Sequence, residues 1–262
     1  MATAPATSDV PSTPASTPAG AATPAEAATP AGAAPETKAP RVIFCLPGRT
    51  YSREFLLSWS GLMSECLNRG IVPVMSQQYS SVVHFARTKC LGGDVLKGAD
   101  QKPFQGQVDY DYIMWIDSDI VFHPNEFFKL LESPHDVTAG VYMMEDRKHY
   151  AVVKSWDEEY FRANGTFQFI DQAALDADEE RYQPVSYSGM GWMLMKKGVV
   201  ESLTYPWFTT ELQQFPDRGD GKGALVDMCS EDVALCHKLG RAGHRVMIDK
   251  TVRVGHQKAV IL

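Results

Sequence analysis

The chain has 262 residues, 44% of them hydrophobic and 22% charged, with a formal net charge of −7. That charge and a pI near 5.5 exclude a broad nucleic-acid-binding face, and no run of 18 apolar residues exists to span a membrane. The five cysteines form no CxxC pair, which speaks against a disulfide framework or a structural zinc site and for a reducing compartment.

Residues 1–40 stand apart. They hold 14 Ala, 8 Pro, 7 Thr, 3 Ser and 2 Gly, and Val10 is their single large aliphatic residue. Such a stretch cannot bury enough apolar surface to offset the entropy of ordering. Thr-Pro-Ala recurs from Thr13, Thr17, Thr23 and Thr29, and proline stops helix and sheet from propagating. A disordered tail over 1–40 and a single folded domain over 41–262 are the expectation. With no basic stretch leading into an apolar one at the start, no secretory signal is expected, and the protein reads as soluble and cytoplasmic.

From Arg41 onward, strand and helix signals alternate. Arg41 to Leu46 is an apolar run ending at Pro47-Gly48, a buried strand meeting a turn. Glu54 to Arg69 carries Phe55, Trp59, Leu62 and Cys66 at helical spacing, and Gly70 stops it. Ile71 to Met75 reads as a strand, and Ser81 to Leu91 as a helix capped by Ser80 or Ser81. Tyr110 to Ile116 is unbroken and apolar toward its end, as in a parallel sheet buried on both faces. Pro124 opens a short helix to Leu131, and Val137 to Met143 is a further strand.

The later part is less regular. Val152 to Trp156, Thr166 to Ile170 and Val185 to Tyr187 read as short strands, some antiparallel. Gly191 to Met195 reads as a strand leading into a helix from Lys197 to Leu203. Thr209 to Cys229 reads as a long loop that orders over a ligand and excludes water. Glu231 to Leu239 reads as a helix and His244 to Ile248 as a strand. The order argues for a doubly wound α/β domain with a mostly parallel sheet.

Asp117-Ser118-Asp119 ends the third strand. Ligands of open α/β sheets bind at the carboxyl ends of strands. Two carboxylates one residue apart there can converge on a cation, and oxygen ligands suit Mg²⁺ or Mn²⁺. Such an ion can hold a diphosphate and neutralise its charge as it leaves. Apolar runs on both sides make unpartnered charge costly at this position.

With these residues in view, the chain resembles the metal-dependent glycosyltransferases of the GT-A fold, a Rossmann-like fold for nucleotide-diphospho-sugar transferases. Met114 to Phe122 looks like that family's D-x-D strand, and Ser188-Gly-Met-Gly-Trp192 like its glycine-containing loop beside the donor sugar. Ser230-Glu231-Asp232 looks like its acidic motif, and His256 is placed like its C-terminal metal-binding histidine. The resemblance implies a nucleotide-diphosphate sugar donor, UDP by frequency in the family, and a glycan or other hydroxyl acceptor. It implies Mn²⁺ or Mg²⁺ at Asp119 and His256, with Asp117 binding through water or the donor ribose.

Other positions carry both functional and ordinary readings. Asp232 could act as general base, with Glu231 beside it, although both acids also suit the first turn of a helix. Pro47, Gly48, Arg49 and Tyr51 sit where the family holds the nucleotide, with Ser118 close to the same ligand. Arg87 would contact the nucleotide, but Thr88 stands where related enzymes often carry Asn. Gly189 and Gly191 would let the backbone approach the sugar, and Lys258 could reach the diphosphate as a point charge. His123 is a rival ligand near Asp119, and Trp192 is expected in the core. Three other readings compete: a haloacid dehalogenase-type phosphatase using the Asp117 to Val121 string, a nucleotidyltransferase acting on sugar phosphates, disfavoured because Leu46-Pro-Gly-Arg49 has only one glycine, and an inactive glycan-binding relative.

Overall fold

A computed structural model of the chain describes residues 38–177 and 179–258. The expected tail lies outside the described residues, apart from its last three. Of these, Pro40 already accepts a hydrogen bond from the Val72 amide at 2.9 Å.

The elements run in chain order as follows. β1 (Arg41–Pro47), α1 (Arg53–Asn68), β2 (Val72–Gln78) and α2 (Val83–Cys90) come first, then β3 (Tyr112–Ile116), β4 (Ile120–Val121), α3 (Pro124–Leu131) and β5 (Val137–Val141). Next are β6 (His149–Val153), α4 (Glu158–Asn164), β7 (Phe169–Asp171), α5 (Gln172–Leu175), β8 (Tyr182–Val185), β9 (Tyr187–Ser188) and β10 (Trp192–Lys196). β11 (Glu211–Phe215), β12 (Leu225–Cys229), α6 (Glu231–Arg241), β13 (Val246–Arg253) and β14 (Gly255–His256) complete the series.

A seven-stranded sheet of order β2-β1-β3-β10-β5-β13-β8 forms the centre. β1 pairs parallel with β2 and β3, and β5 with β13. β10 runs against both β3 and β5, and β8 against β13. The expected mixed α/β architecture with a mostly parallel sheet is what the chain adopts.

Strand alternation explains why both faces are covered. Ile113 and Trp115 of β3 join one buried cluster with Cys90 of α2 and Val233 and Leu235 of α6. Met114 and Ile116 point the other way, into a cluster with Phe55 and Leu62 of α1 and Phe127 and Leu130 of α3. Successive side chains of a strand project to opposite faces, so a continuous apolar run needs helices on both sides. The capping chemistry is local: Ser52 accepts from the Phe55 amide, and Pro124 opens α3 behind His123. All five cysteines are buried as free thiols.

Three expectations need correction, and two helices were not expected. Thr209 to Cys229 is not a plain loop but largely an antiparallel hairpin, β11 against β12. Its Phe215 stacks on Phe161 of α4 at 4.8 Å, a contact that sequence spacing could not show. The helix expected over Lys197 to Leu203 is a single 3-10 turn, Val200–Ser202, because Gly198 takes φ +98° and Leu203 is extended. α2 begins at Val83 with no side-chain cap, since Ser80 turns its hydroxyl to the Val82 amide at 3.4 Å. α4 and α5 were unforeseen, although Asp157 and Asp171 cap them by accepting from the amides of Tyr160 and Ala174.

Asp249 in β13 is fully buried and accepts from Arg181 Nε at 2.9 Å, Thr251 N at 3.0 Å and Thr251 Oγ1 at 2.7 Å. Removing one partner of such a network leaves the others unpaired. Asp249→Ala should therefore destabilise the chain by about 3 kcal/mol. Urea denaturation checks this: the midpoint should fall with an unchanged m value.

Candidate active site

The site forms where the ends of β1 and β3 meet the start of β10. β10 is antiparallel, so its entry, Gly191, lies beside the exit of β3, and the Asp117 amide donates to the Gly191 carbonyl at 3.0 Å. A Cβ on Gly48 would come within 2.7 Å of Ser118 Cβ, so the turn after β1 packs directly on the acidic turn.

The two aspartates of that turn have different partners. β14 pairs with β4, setting His256 opposite Ile120, and the Gln257 amide donates to the Asp119 carbonyl at 2.7 Å. This small ladder brings His256 Nε2 to 3.1 Å and Lys258 Nζ to 2.8 Å from one oxygen, Asp119 Oδ2. Burial raises the Asp119 pKa, but the hydrogen bonds from His256 and Lys258 outweigh it and hold the carboxyl at about 2. His256 shifts upward: burial lowers it, and Asp119 and the Met143 carbonyl raise it by more. His256 Nδ1 lies 2.8 Å from the Met143 carbonyl. That carbonyl can only accept, so Nδ1 carries hydrogen, and Nε2 carries hydrogen as well where it donates to Asp119.

Asp117 belongs to Arg87, which is 3% exposed. Arg87 NH2 donates to Asp117 Oδ2 at 3.1 Å, and NH1 lies 3.0 Å from Oδ1 without hydrogen-bond alignment. Arg87 Nε donates to Glu231 Oε1 at 3.1 Å. Burial alone would lower the guanidinium pKa, yet Asp117 and Glu231 raise it above its ordinary value. Arg87 thereby ties the end of β3 to the start of α6.

Asp232 follows Glu231 but points elsewhere. It accepts from Tyr187 OH at 2.8 Å and from the Ser230 hydroxyl. Ser230 precedes the helix, as expected of a cap, but gives its side chain to Asp232 and not to a backbone amide. Gly189 and Gly191 lie under Tyr142, whose hydroxyl accepts from the Gly191 amide at 3.1 Å. A Cβ at Gly189 would come within 2.1 Å of that hydroxyl, so the glycine is sterically required.

The remaining expected residues sit at or beyond the edge. Pro47 is buried as the last residue of β1. Tyr51 donates its hydroxyl to the Leu46 carbonyl at 2.9 Å, and burial pushes its pKa up to about 12. Arg49 is exposed and lies 5.6 Å from the Tyr79 ring centroid. His123 caps α3, its Nδ1 accepting from the Asn125 amide, and Trp192 is wholly buried. Among the described residues no three His, Cys, Asp or Glu side chains gather as a metal site. Asp119 and His256 are a pair of donors, and Asp117 is engaged by Arg87. Tyr142, Tyr187 and the Met143 carbonyl escaped the sequence reading. Tyr187 had a weak signal in lying two residues before Gly189, and Tyr142 had none.

No protein-family model and no curated protein sequence matches the chain. Solved structures similar to it include the A197 protein of STIV, at 15% identity and TM-score 0.44, covering 85% of this chain and 96% of that one. GalNAc-T7, solved with UDP, GalNAc and Mn²⁺, is similar at 10% identity and TM-score 0.44, covering 86% of this chain and 45% of that one. The inositol-1-phosphate CTP transferase of T. maritima is similar at 10% identity and TM-score 0.39, covering 85% and 91%. None reaches a TM-score of 0.5, so the reading of the site rests on its residues. Among the described residues no helix is long and apolar enough to cross a membrane.

The Gly189–Tyr142 contact is testable by a double-mutant cycle. Tyr142→Phe alone should cost about 1–2 kcal/mol by orphaning the buried Gly191 amide. Gly189→Ala alone should cost more, through the clash with the hydroxyl. The pair together should cost less than the sum by at least about 0.5 kcal/mol. Strictly additive unfolding free energies would contradict the contact.

Proposed function

We propose that the chain is a metal-dependent glycosyltransferase of the GT-A type, moving a sugar from a nucleotide-diphosphate donor, with UDP the expected nucleotide, to a glycan or other hydroxyl acceptor. One observation carries the reading: Asp119, His256 and Lys258 converge at the carboxyl end of β3, beside the glycine entry to β10. A carboxylate and an imidazole nitrogen side by side suit Mn²⁺ or Mg²⁺, whose other positions phosphate oxygens and water can fill. Asp119 and His256 would hold the ion, which when bound neutralises the departing diphosphate.

The chain's own groups do the rest. Lys258 offers a mobile point charge to the diphosphate. Gly189 and Gly191 admit the Tyr142 hydroxyl against the backbone and so fix the entry to β10 beside the acidic turn. Tyr187 and Ser230 aim Asp232, which in an inverting transfer takes the acceptor proton and in a retaining one positions the acceptor. Glu231, held by Arg87, positions the start of α6. The arrangement suits a phosphatase with Asp117 as nucleophile poorly, because the buried Arg87 pairs with that carboxylate and donates to its Oδ2.

Two measurements test this. Asp119→Ala should abolish Mn²⁺-dependent release of UDP from the cognate donor while the circular dichroism spectrum stays native. A wild-type rate would overturn the site. Asp232→Asn should slow an inverting transfer by roughly 10²–10⁴-fold with little change in donor affinity. A thermal-shift screen identifies the donor first, since a ligand at 100 times its Kd adds about 2.7 kcal/mol of stability.

A further inference from the structure

A separate cavity of about 760 Å³ opens along α6, away from Asp119. Its lining includes Lys154, His237, Arg241, His244 and Arg245, and no Asp or Glu. In a chain of net charge −7 this is a marked local reversal of sign. Arg241 and His237 share Glu211, which lies outside the lining, and His244 meets Ser202 and Asp136. The ion pairs found among the described residues include neither Lys154 nor Arg245, and both side chains are exposed. Trp156, 37% exposed, forms one wall and packs edge-on against His237 at 4.8 Å.

The cavity is joined to the site by residues already placed. Cys236 and Gly240 line it and lie four and eight residues after Asp232, on the same face of α6. At 1.5 Å per residue that is roughly 6 and 12 Å along the helix. Tyr187 links the two regions: its hydroxyl bonds Asp232 and its ring lies 6.5 Å from Trp156.

We propose that this cavity binds an anionic carbohydrate, a sugar carrying a carboxylate or phosphate, as the charged part of the acceptor. Lys154 and Arg245, which no ion pair among the described residues engages, select the anion, while Arg241 is shared with Glu211. The exposed indole offers an apolar face for a sugar ring. A single-stranded nucleic acid fits less well, because its sites are long basic grooves with several stacking aromatics, whereas this is one concave pocket with one exposed indole. Only the word acceptor rests on the glycosyltransferase reading; the binding itself does not.

The test is binding to the full chain, followed by tryptophan fluorescence and calorimetry without donor or metal. The probes are trigalacturonate, glucose 6-phosphate, neutral maltotriose and glucose, inorganic phosphate, and oligodeoxythymidylate. Trigalacturonate or glucose 6-phosphate should bind at least ten-fold tighter than its neutral counterpart, and which one does so names the anion. Lys154→Glu with Arg245→Glu, both at exposed positions, should weaken that binding ten-fold or more with an unchanged melting temperature. Trp156→Ala should weaken it and remove the fluorescence change. Equal affinity for neutral and charged sugars overturns the proposal, as does equal affinity for inorganic phosphate or oligodeoxythymidylate, or indifference to the Lys154 and Arg245 changes. Asp119→Ala should leave sugar binding intact. Sugar binding that persists in a protein with no donor turnover would thus count against the transferase reading and not against the cavity.

Discussion

The buried Arg87 guanidinium is the interaction on which the site depends. It stands between two carboxylates, Asp117 after β3 and Glu231 at the start of α6, that are 114 residues apart in the chain (117 to 231). A cation removed from water is tolerable only when paired in good geometry, and removing either acid would strip part of the buried fork of its acceptor. The pairing divides the four acids by role. Within Asp117 and Asp119, and again within Glu231 and Asp232, one carboxylate is consumed by the buried bridge. The other stays half-buried, with hydroxyl, imidazole or ammonium partners that a ligand can displace or use.

That division explains how far the sequence could be read. Apolar runs and caps made β1, α1, β3, α3 and β10 legible, because those elements are buried on one or two faces and their periodicity survives. The hairpin of β11 and β12 was not legible. Its strands are half exposed, and Glu211, Gln213, Gln214 and Asp227 break the apolar alternation. Its glycines, at 219, 221 and 223, carry positive φ in the turn region, which reads as loop from sequence alone.

The site was legible in its residue types and not in their partners. Asp119 and His256 could be named together because a resemblance supplied the long-range pairing, and β14 against β4 gives that pairing a physical basis. Arg87 could be named as a site residue, yet nothing near it in sequence tells that its partners are Asp117 and Glu231. The partners of Tyr142 and Tyr187 were hidden for the same reason. Their hydroxyls act on Gly191 and Asp232 across 49 and 45 residues.

The two tyrosines also show why an aromatic residue suits this position better than a stronger acid or base. Burial pushes both hydroxyls well above their ordinary pKa, so they stay neutral and protonated. A neutral hydroxyl can accept from the Gly191 amide or donate to Asp232 without adding charge to a region that already holds four carboxylates. A carboxylate at position 187 would repel Asp232, and a cation there would compete with Arg87 for the acids. The neutral hydroxyls orient the Gly191 backbone and the Asp232 carboxylate and leave the charge balance to Arg87, His256 and Lys258.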